Sequence, residues 1–513
     1  MNRMTSLSFG APRRGWLRAL SRLAAGGALC LGVLLGAAHA GPVQTDWKKI
    51  KAPALRDFKP QQPTRIQLDN GMVIFLQPNP ELPLITLLAD VQGGSGDEPA
   101  DKIGLSGLYA HGLRYGGIAG KTGDQIDDFL AARAAQIGWD DDVDSVGLRA
   151  NFHKNDFDDV LGIIIEMLRT PQFAQDKLDL AKRQVFTGIA RRNDDPMEIA
   201  ERESEKLGLG ANHPHARQAE FATVASVTRE DLLAWHRAHV HPNQFMLGVT
   251  GDFDAATMEA KLRRMFAGWP KGPQVAAANI PFAPTKPGIY LVNKEDVNQS
   301  SIRLVQLGTT RKNPDAYAIE VMNEILGGGF AARLFTNIRS KQALAYNVRG
   351  GVGMGWGFPS LYRMTMGTAS KNTVRAVKAL YAEVNAMLNE RPPTLEELAK
   401  AKEGILNSFV FQIDSKAKTM RQRMSLENYG YPPDYYERYQ SEIAKVTLDD
   451  VKRVAAKYLN PTGFALLVVG KAAEFDAPLS TLGSVTNLDI TIPPPPAGAM
   501  PTAGPGAGRP SGK

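Results

Sequence analysis

The chain has 513 residues, 43% hydrophobic and 22% charged, with 49 Gly and 33 Pro; this excludes general disorder and is too long for one hydrophobic core. The formal charge of +7 invites a nucleic-acid reading, yet residues 1–40 hold Arg3, Arg13, Arg14, Arg18 and Arg22 with no Lys, Asp or Glu. Setting those five aside from 60 basic residues leaves 55 against 53 acidic ones, a body too nearly neutral for a phosphate-binding surface, so no nucleic-acid partner is expected.

In chain order, the arginines precede an apolar run, "LAAGGALCLGVLLGAA", and a small-residue "AHA" ending at Ala40, the pattern of an export signal. The mature chain is expected to start at Gly41, in the periplasm or otherwise outside the cytoplasm. The run is shorter than the ~20 residues of a spanning helix. Arg13-Arg14 leaves a twin-arginine signal open beside an ordinary one. Cys30, the only cysteine, lies inside the run and leaves with it, so the mature chain has no thiolate for zinc.

Beyond the signal, Asn70-Gly71 sits between two alternating runs, "RIQLD" and "MVIFLQ", and predicts a hairpin; "LITLLADVQ" follows as a third strand. Apolar residues at Phe157, Val160, Leu161, Ile164 and Leu168 predict a one-faced helix, and a second helix carries Leu178, Ala181 and Lys182. Then comes "SVTREDLLAWHRAHVHPNQFMLGVTG" (226–251), which repeats as "KVTLDDVKRVAAKYLNPTGFALLVVG" (445–470) at an offset of 219. Each copy reads as a Thr N-cap, an amphipathic helix, a Pro stop and a short apolar strand. Upstream of the second copy, Val374, Val377, Leu380, Val384 and Leu388 form the matching helix, followed by Leu398, Ala401 and Lys402. "GIYLVN" and "SIRLVQLG" open that half as strands, and the glycine-rich 349–367 reads as a strand pair or a loop.

The expected fold is therefore α+β: two homologous domains, each a mainly antiparallel sheet packed against long helices. Their bounds are 41–268 and 289–492, joined by a Pro/Ala/Gly-rich linker at 269–288 and followed by a disordered tail at 493–513.

Five phrases carry a family resemblance: "LDNGMVIFLQPNPELPLITLLADVQGGSGDEP", "GLSGLYAHGLRYGG", "RRNDDP", "HPNQFMLGVTGDFD" and "GGGFAARLFTNIRSKQALAYNV". In this order, over residues 60–475, they resemble the successive signatures of the pitrilysin/insulinase zinc peptidases. The resemblance implies two such domains per chain, commonly paired with another chain or half into a clamshell around unfolded peptide. The family's inverted motif H-x-x-E-H binds zinc through both His while Glu activates water. Here Gly107 stands for the first His and Ala110 for the Glu, and only His111 remains. Thr187 and Gly188 occupy the region of the third ligand. A catalytic zinc site needs about three protein ligands, so no cofactor is expected on this chain; zinc belongs to a partner of the same family, and His111 is a structural leftover.

The second half keeps what the first lost. Arg333 and Tyr346 match the Arg and Tyr that the family uses to hold substrate and steady the tetrahedral intermediate, here expected to act in trans, and Gly327, Gly328 and Gly329 match a flexible loop near bound peptide. The competing reading pairs Arg333 with an acidic neighbour and lets Tyr346 fill a strand position. His236, His239 and His241 have metal-like spacing but read better as a solvated helix end whose cationic rings face the C-terminal dipole. His213 and His215 read as loop geometry, and His153 completes the set. The leading functional reading is a zinc-free subunit that completes a zinc-bearing relative's peptidase site. The alternatives are a peptide-binding or scaffolding protein without hydrolysis, and a self-sufficient zinc endopeptidase.

Overall fold

The computed structural model describes residues 61–274 and 280–498. The export signal, the expected mature start, Cys30, part of the linker and most of the tail lie outside the described residues.

The first half opens with β1 (Thr64–Gln67), β2 (Val73–Pro78) and β3 (Leu84–Gln92). Gly71 turns the β1–β2 hairpin with φ 90°, a conformation glycine adopts without penalty. Helix α1 (Leu105–Tyr115) leads to the hairpin of β4 (Gln136–Asp141) and β5 (Ser145–His153). Helices α2 (Phe157–Arg169), α3 (Gln175–Arg191), α4 (Pro196–Leu209) and α5 (Arg229–His239) precede β6 (Phe245–Gly251). The sheet order is β1-β2-β6-β3-β5-β4, and only the β2–β6 pair is parallel.

The second half repeats this plan. Strands β7 (Gly288–Asn293) and β8 (Gln299–Leu307), helix α6 (Ala316–Asn323), and strands β9 (Asn347–Val352) and β10 (Leu361–Ala369) come first. Then follow α7 (Thr373–Leu388), α8 (Leu395–Phe409), α9 (Lys416–Asn428), α10 (Leu448–Tyr458), β11 (Ala465–Gly470) and β12 (Val485–Asn487). The order β9-β10-β8-β11-β7-β12 reproduces the first sheet strand for strand except at one edge, where β12 stands in place of β1. The α+β class expected from the sequence is the one observed, and the apolar faces of α2 and α7 lie in the two main cores.

The repeat extends to polar detail. Thr228 and Thr447 each cap their helix in reciprocal hydrogen bonds with Asp231 and Asp450, the capping box that S/T-x-x-D spacing allows. Lys182 Nζ donates to the Ala225 carbonyl at 3.1 Å, and Lys402 Nζ to the Ala444 carbonyl at 2.7 Å.

One layer exceeds the expected sheet-on-helices sandwich. Helix α4, from the first half, lays Ile199, Ala200, Leu207 and Leu209 on Val292, Val305, Leu361 and Leu467 of the second sheet. Its counterpart α9, from the second half, lays Met420 and Met424 on Phe75 and Leu88 of the first. Each sheet is thus covered on both faces, which is why β2 and β11 are near-continuous apolar runs rather than alternating ones. Gly208 and Gly248 make room for the exchange, because a Cβ would stand 2.4 Å from Leu361 Cδ2 and 2.8 Å from Met420 Cγ, respectively. Arg421 to Asp90 at 2.9 Å and Tyr429 to Asp144 at 2.7 Å tie α9 and the residue after it to the first half.

Candidate functional site

Helix α1 packs beside edge strand β4 and carries the degenerate motif. Ala110 is buried, and a Cβ on Gly107 would approach the Asp141 carboxylate at 3.4 Å. Asp141 and Glu98 both contact the Ser106 hydroxyl at 2.8 Å, so these carboxylates serve the start of α1. His111 turns elsewhere: its ring lies 4.7 Å from Tyr115, and its buried Nε2 meets no hydrogen-bond partner. Burial, then the positive charges of Arg114 and Lys177, hold this imidazole below its usual range. On α3, the exposed Thr187 hydroxyl donates back to the Arg183 carbonyl at 2.9 Å, and a side chain on Gly188 would meet nothing within 4 Å. Among the described residues no group of three or more His, Cys, Asp or Glu stands close enough to share a metal ion. Cationic neighbours, a lone imidazole and no converging carboxylate do not fit a catalytic zinc.

The His236–His239–His241 set does not converge either. Contrary to the solvated helix end expected from the sequence, His236 is buried, with Nδ1 2.8 Å from the Tyr109 hydroxyl, and burial pushes it down to about 4. His239 Nδ1 contacts the Trp235 carbonyl at 3.0 Å, with the two rings 4.1 Å apart. The spacing placed these rings near a helix end, but the aromatic core beneath that end, supplied by Tyr109 and Phe173, was invisible in it. His213 accepts from the His215 backbone N–H at 3.1 Å, a loop contact, and His153 accepts from that of Asn155 at 3.3 Å.

The second half shapes a cavity of about 1000 Å³, lined by Gly327, Gly328, Gly329, Phe330, Arg339 and Tyr346 among others. Phe330 and Tyr346 are 81% and 84% exposed at this site. The Arg339 guanidinium stacks 4.5 Å from the Phe335 ring and 4.8 Å from that of Tyr346, cation–π distances. Tyr346 thus presents its phenol to solvent and fills no buried strand position.

Arg333 does not line this cavity. Its fork grips Glu397, Nε to Oε1 and Nη2 to Oε2 both at 2.7 Å, while the remaining donors reach the Arg391 and Pro392 carbonyls. It lines instead a cavity of about 560 Å³ with Arg391, Pro392 and Glu397. Burial raises Glu397, but the hydrogen bonds from Arg333 and Thr394 prevail and hold its carboxyl below the usual range.

Edge strand β9 forms one wall of the large cavity. Gly353 N–H donates to Leu361 on neighbouring β10, so the backbone of alternate residues Val352, Gly350 and Val348 faces away from the sheet. Asn323 occupies both backbone groups of Val352, at 2.8 and 2.9 Å. Gly327 lies against Gly350 so closely that a Cβ would meet its oxygen at 2.5 Å, which requires glycine there. The outward edge is closed at Gly350–Val352, while at the other end Tyr346 and Asn347 are exposed.

Comparison with known proteins accords with this geometry. The family profile described as Peptidase M16 inactive domain matches residues 226–405. An uncharacterized zinc protease of Mycobacterium bovis is 23% identical over 411 residues, 78% of this chain and 91% of that protein. A Helicobacter pylori protein named non-peptidase homolog YmxG is 24% identical over 392 residues, 74% of this chain and 87% of its own. The crystal structure of a peptidase M16 inactive domain from Pseudomonas fluorescens superposes with a TM-score of 0.71 at 24% identity, over 80% of this chain and 98% of that one.

The chain is similar to the peptidase M16 proteins, with the family profile matched over residues 226–405.

This is the pitrilysin/insulinase likeness that the motifs imply. Within this chain, sequence reasoning passed over Arg303, Arg339 and Arg349, which line the cavity with Tyr346. One signal was available: Arg303 interrupts the apolar "SIRLVQL" strand, and a charge at such a position needs a reason.

Proposed function

We propose that this chain is a zinc-free subunit of an exported M16 peptidase, binding extended peptide and pairing with a zinc-bearing member of the family whose site it completes. The observation that carries the reading is the asymmetry between halves: the helix that would hold zinc has lost its donors, whereas the second half keeps an open cavity with an exposed phenol. A phenol O–H can donate to a carbonyl oxygen that becomes an oxyanion. In this reading Tyr346 touches the substrate, and Arg333 is a positioning residue that ties its own segment to α8. The expected location is the periplasm.

The test reconstitutes the chain with a zinc-bearing relative. Tyr346→Phe is expected to lower turnover about a hundredfold, as loss of an oxyanion donor does, with co-elution of the two chains unchanged. A second reading, a scaffold with no part in hydrolysis, draws on the locked fork of Arg333, which leaves one of the two family groups away from the cavity. Unchanged turnover in Tyr346→Phe within an intact complex selects that reading.

A further inference from the structure

The charged side chains lining the large cavity are unevenly committed. On the acidic side, Asp195 caps α4 by accepting from Met197 N–H at 2.6 Å, Asp296 pairs with Lys294 at 3.0 Å, Glu474 pairs with Lys471 at 2.8 Å, and Glu295 accepts from Asn293 at 2.6 Å. On the basic side, Arg339 and Arg349 form no ion pair with any described residue, and Arg339 stacks on rings instead.

Arg303 is held only weakly, by one long ion pair to Glu201 and by a hydrogen bond from Nη1 to the Ile302 carbonyl at 3.2 Å. It is 6% exposed, its Nε meets no hydrogen-bond partner, and the nearest carboxylate oxygen, of Glu201, is 3.7 Å away. Glu201 also serves Arg363. Burial lowers the Arg303 guanidinium, Glu201 offsets part of that, and the charges of Arg363 and Arg349 add repulsion.

The register explains why these groups lie together. Arg349 on β9 is opposite Thr365 on β10, which is opposite Arg303 on β8. Residues paired across an antiparallel sheet project to the same face, so two arginines stand about 10 Å apart across three strands with a small hydroxyl between them. A buried guanidinium with an unfilled donor and a like charge beside it is destabilised, and an anion held between Arg303 and the exposed Arg349 relieves both the repulsion and the unfilled Nε.

We propose that the floor of this cavity, built from Arg303 and Arg349 beside Arg339, is a carboxylate subsite that selects peptides presenting an acid group where the chain passes the exposed Tyr346 and Asn347 at the start of β9. The inference rests on the peptide-binding reading above and adds a preference to it. A guanidinium fork matches a carboxylate by two parallel hydrogen bonds, and Thr365 leaves room between the forks. The carboxylate comes from an acidic side chain or from a peptide C-terminus.

The test measures fluorescence anisotropy of labelled ten-residue peptides on the mature chain, alone and combined with a zinc-bearing relative. One peptide carries a central Glu and an amidated end, a second carries Gln in place of Glu, and a third has Gln and a free C-terminal carboxylate. The Glu or the free-end peptide is expected to bind about tenfold more tightly than the amidated Gln peptide, and which of them does so identifies the source. Arg349→Gln, an exposed change that leaves the core intact, is expected to erase most of that preference. Arg303→Gln should do the same and serves as confirmation where it folds. Equal binding of all three peptides, or a preference untouched by Arg349→Gln, overturns the carboxylate subsite and leaves peptide binding standing. No binding of any peptide, with or without the relative, overturns the peptide-binding reading and the subsite with it.

Discussion

Glu397 serves two structures through one carboxylate, accepting from the Thr394 backbone at the start of α8 and from both ends of the Arg333 fork. Removing the arginine strands a half-buried acid, which costs more than the net worth of the pair. Arg333→Ala is therefore expected to lower unfolding free energy by about 1–3 kcal/mol, and Arg333→Ala/Glu397→Ala by less than the sum of the single changes. Urea denaturation of the four-member cycle reads this coupling, and strict additivity would count against a structural role for the fork. A second residue-scale consequence concerns pH. With His236 held down to about 4 against an unfolded value of about 6.5, the folded chain binds fewer protons than the unfolded chain between those limits. Stability then rises with pH across that window and is lost as pH falls through it, by about 2–3 kcal/mol for this ring. His236→Gln is expected to flatten the urea midpoint between pH 6.5 and 4.5, though not abolish its slope, because His213 is also held at about 4. An unaltered slope sinks the assignment.

At the scale of elements, the twin capping boxes give a paired measurement. Thr228→Ala and Thr447→Ala each remove an oxygen that accepts a helix N–H, so each is expected to cost about 1 kcal/mol in chemical denaturation. A negligible cost at both sites would mean that the repeat helices are held by packing alone. These elements were legible because their signals are local: a Thr three residues before an Asp, apolar residues on one helical face, an Asn-Gly turn. The degenerate zinc motif was legible for the same reason, as a spacing with its donors missing. The cavity was not, since Arg303 and Arg349 are 46 positions apart and meet only through the register of β9, β10 and β8. That Arg333 pairs with an acid was one of the two readings the sequence allowed, but which acid was hidden likewise, Glu397 lying 64 residues downstream. Nor did spacing reveal that α4 and α9 trade sheets, although the unbroken apolar runs of β2 and β11 already required cover on both faces.

At the scale of the whole molecule, that exchange makes the halves interdependent. A polypeptide ending at residue 274 leaves Phe75 and Leu88 of the first sheet bare, and one beginning at residue 280 lacks α4 over Leu467 and Val469. Each piece expressed alone is expected to aggregate, whereas the two expressed together should co-purify as a complex with a cooperative thermal transition. Two soluble, separately folding pieces would contradict this. Uncovering Phe75, Leu88, Met420 and Met424 costs about 6–12 kcal/mol at about 1.5–3 kcal/mol per fully buried side chain, comparable to the entire net stability of about 5–15 kcal/mol typical of a domain. The halves consequently cannot gape around the segment that joins them, as two domains on a loose hinge do. Within the described residues the two halves form one body, and in the peptide-binding reading proposed above an opposing jaw would come from a different polypeptide.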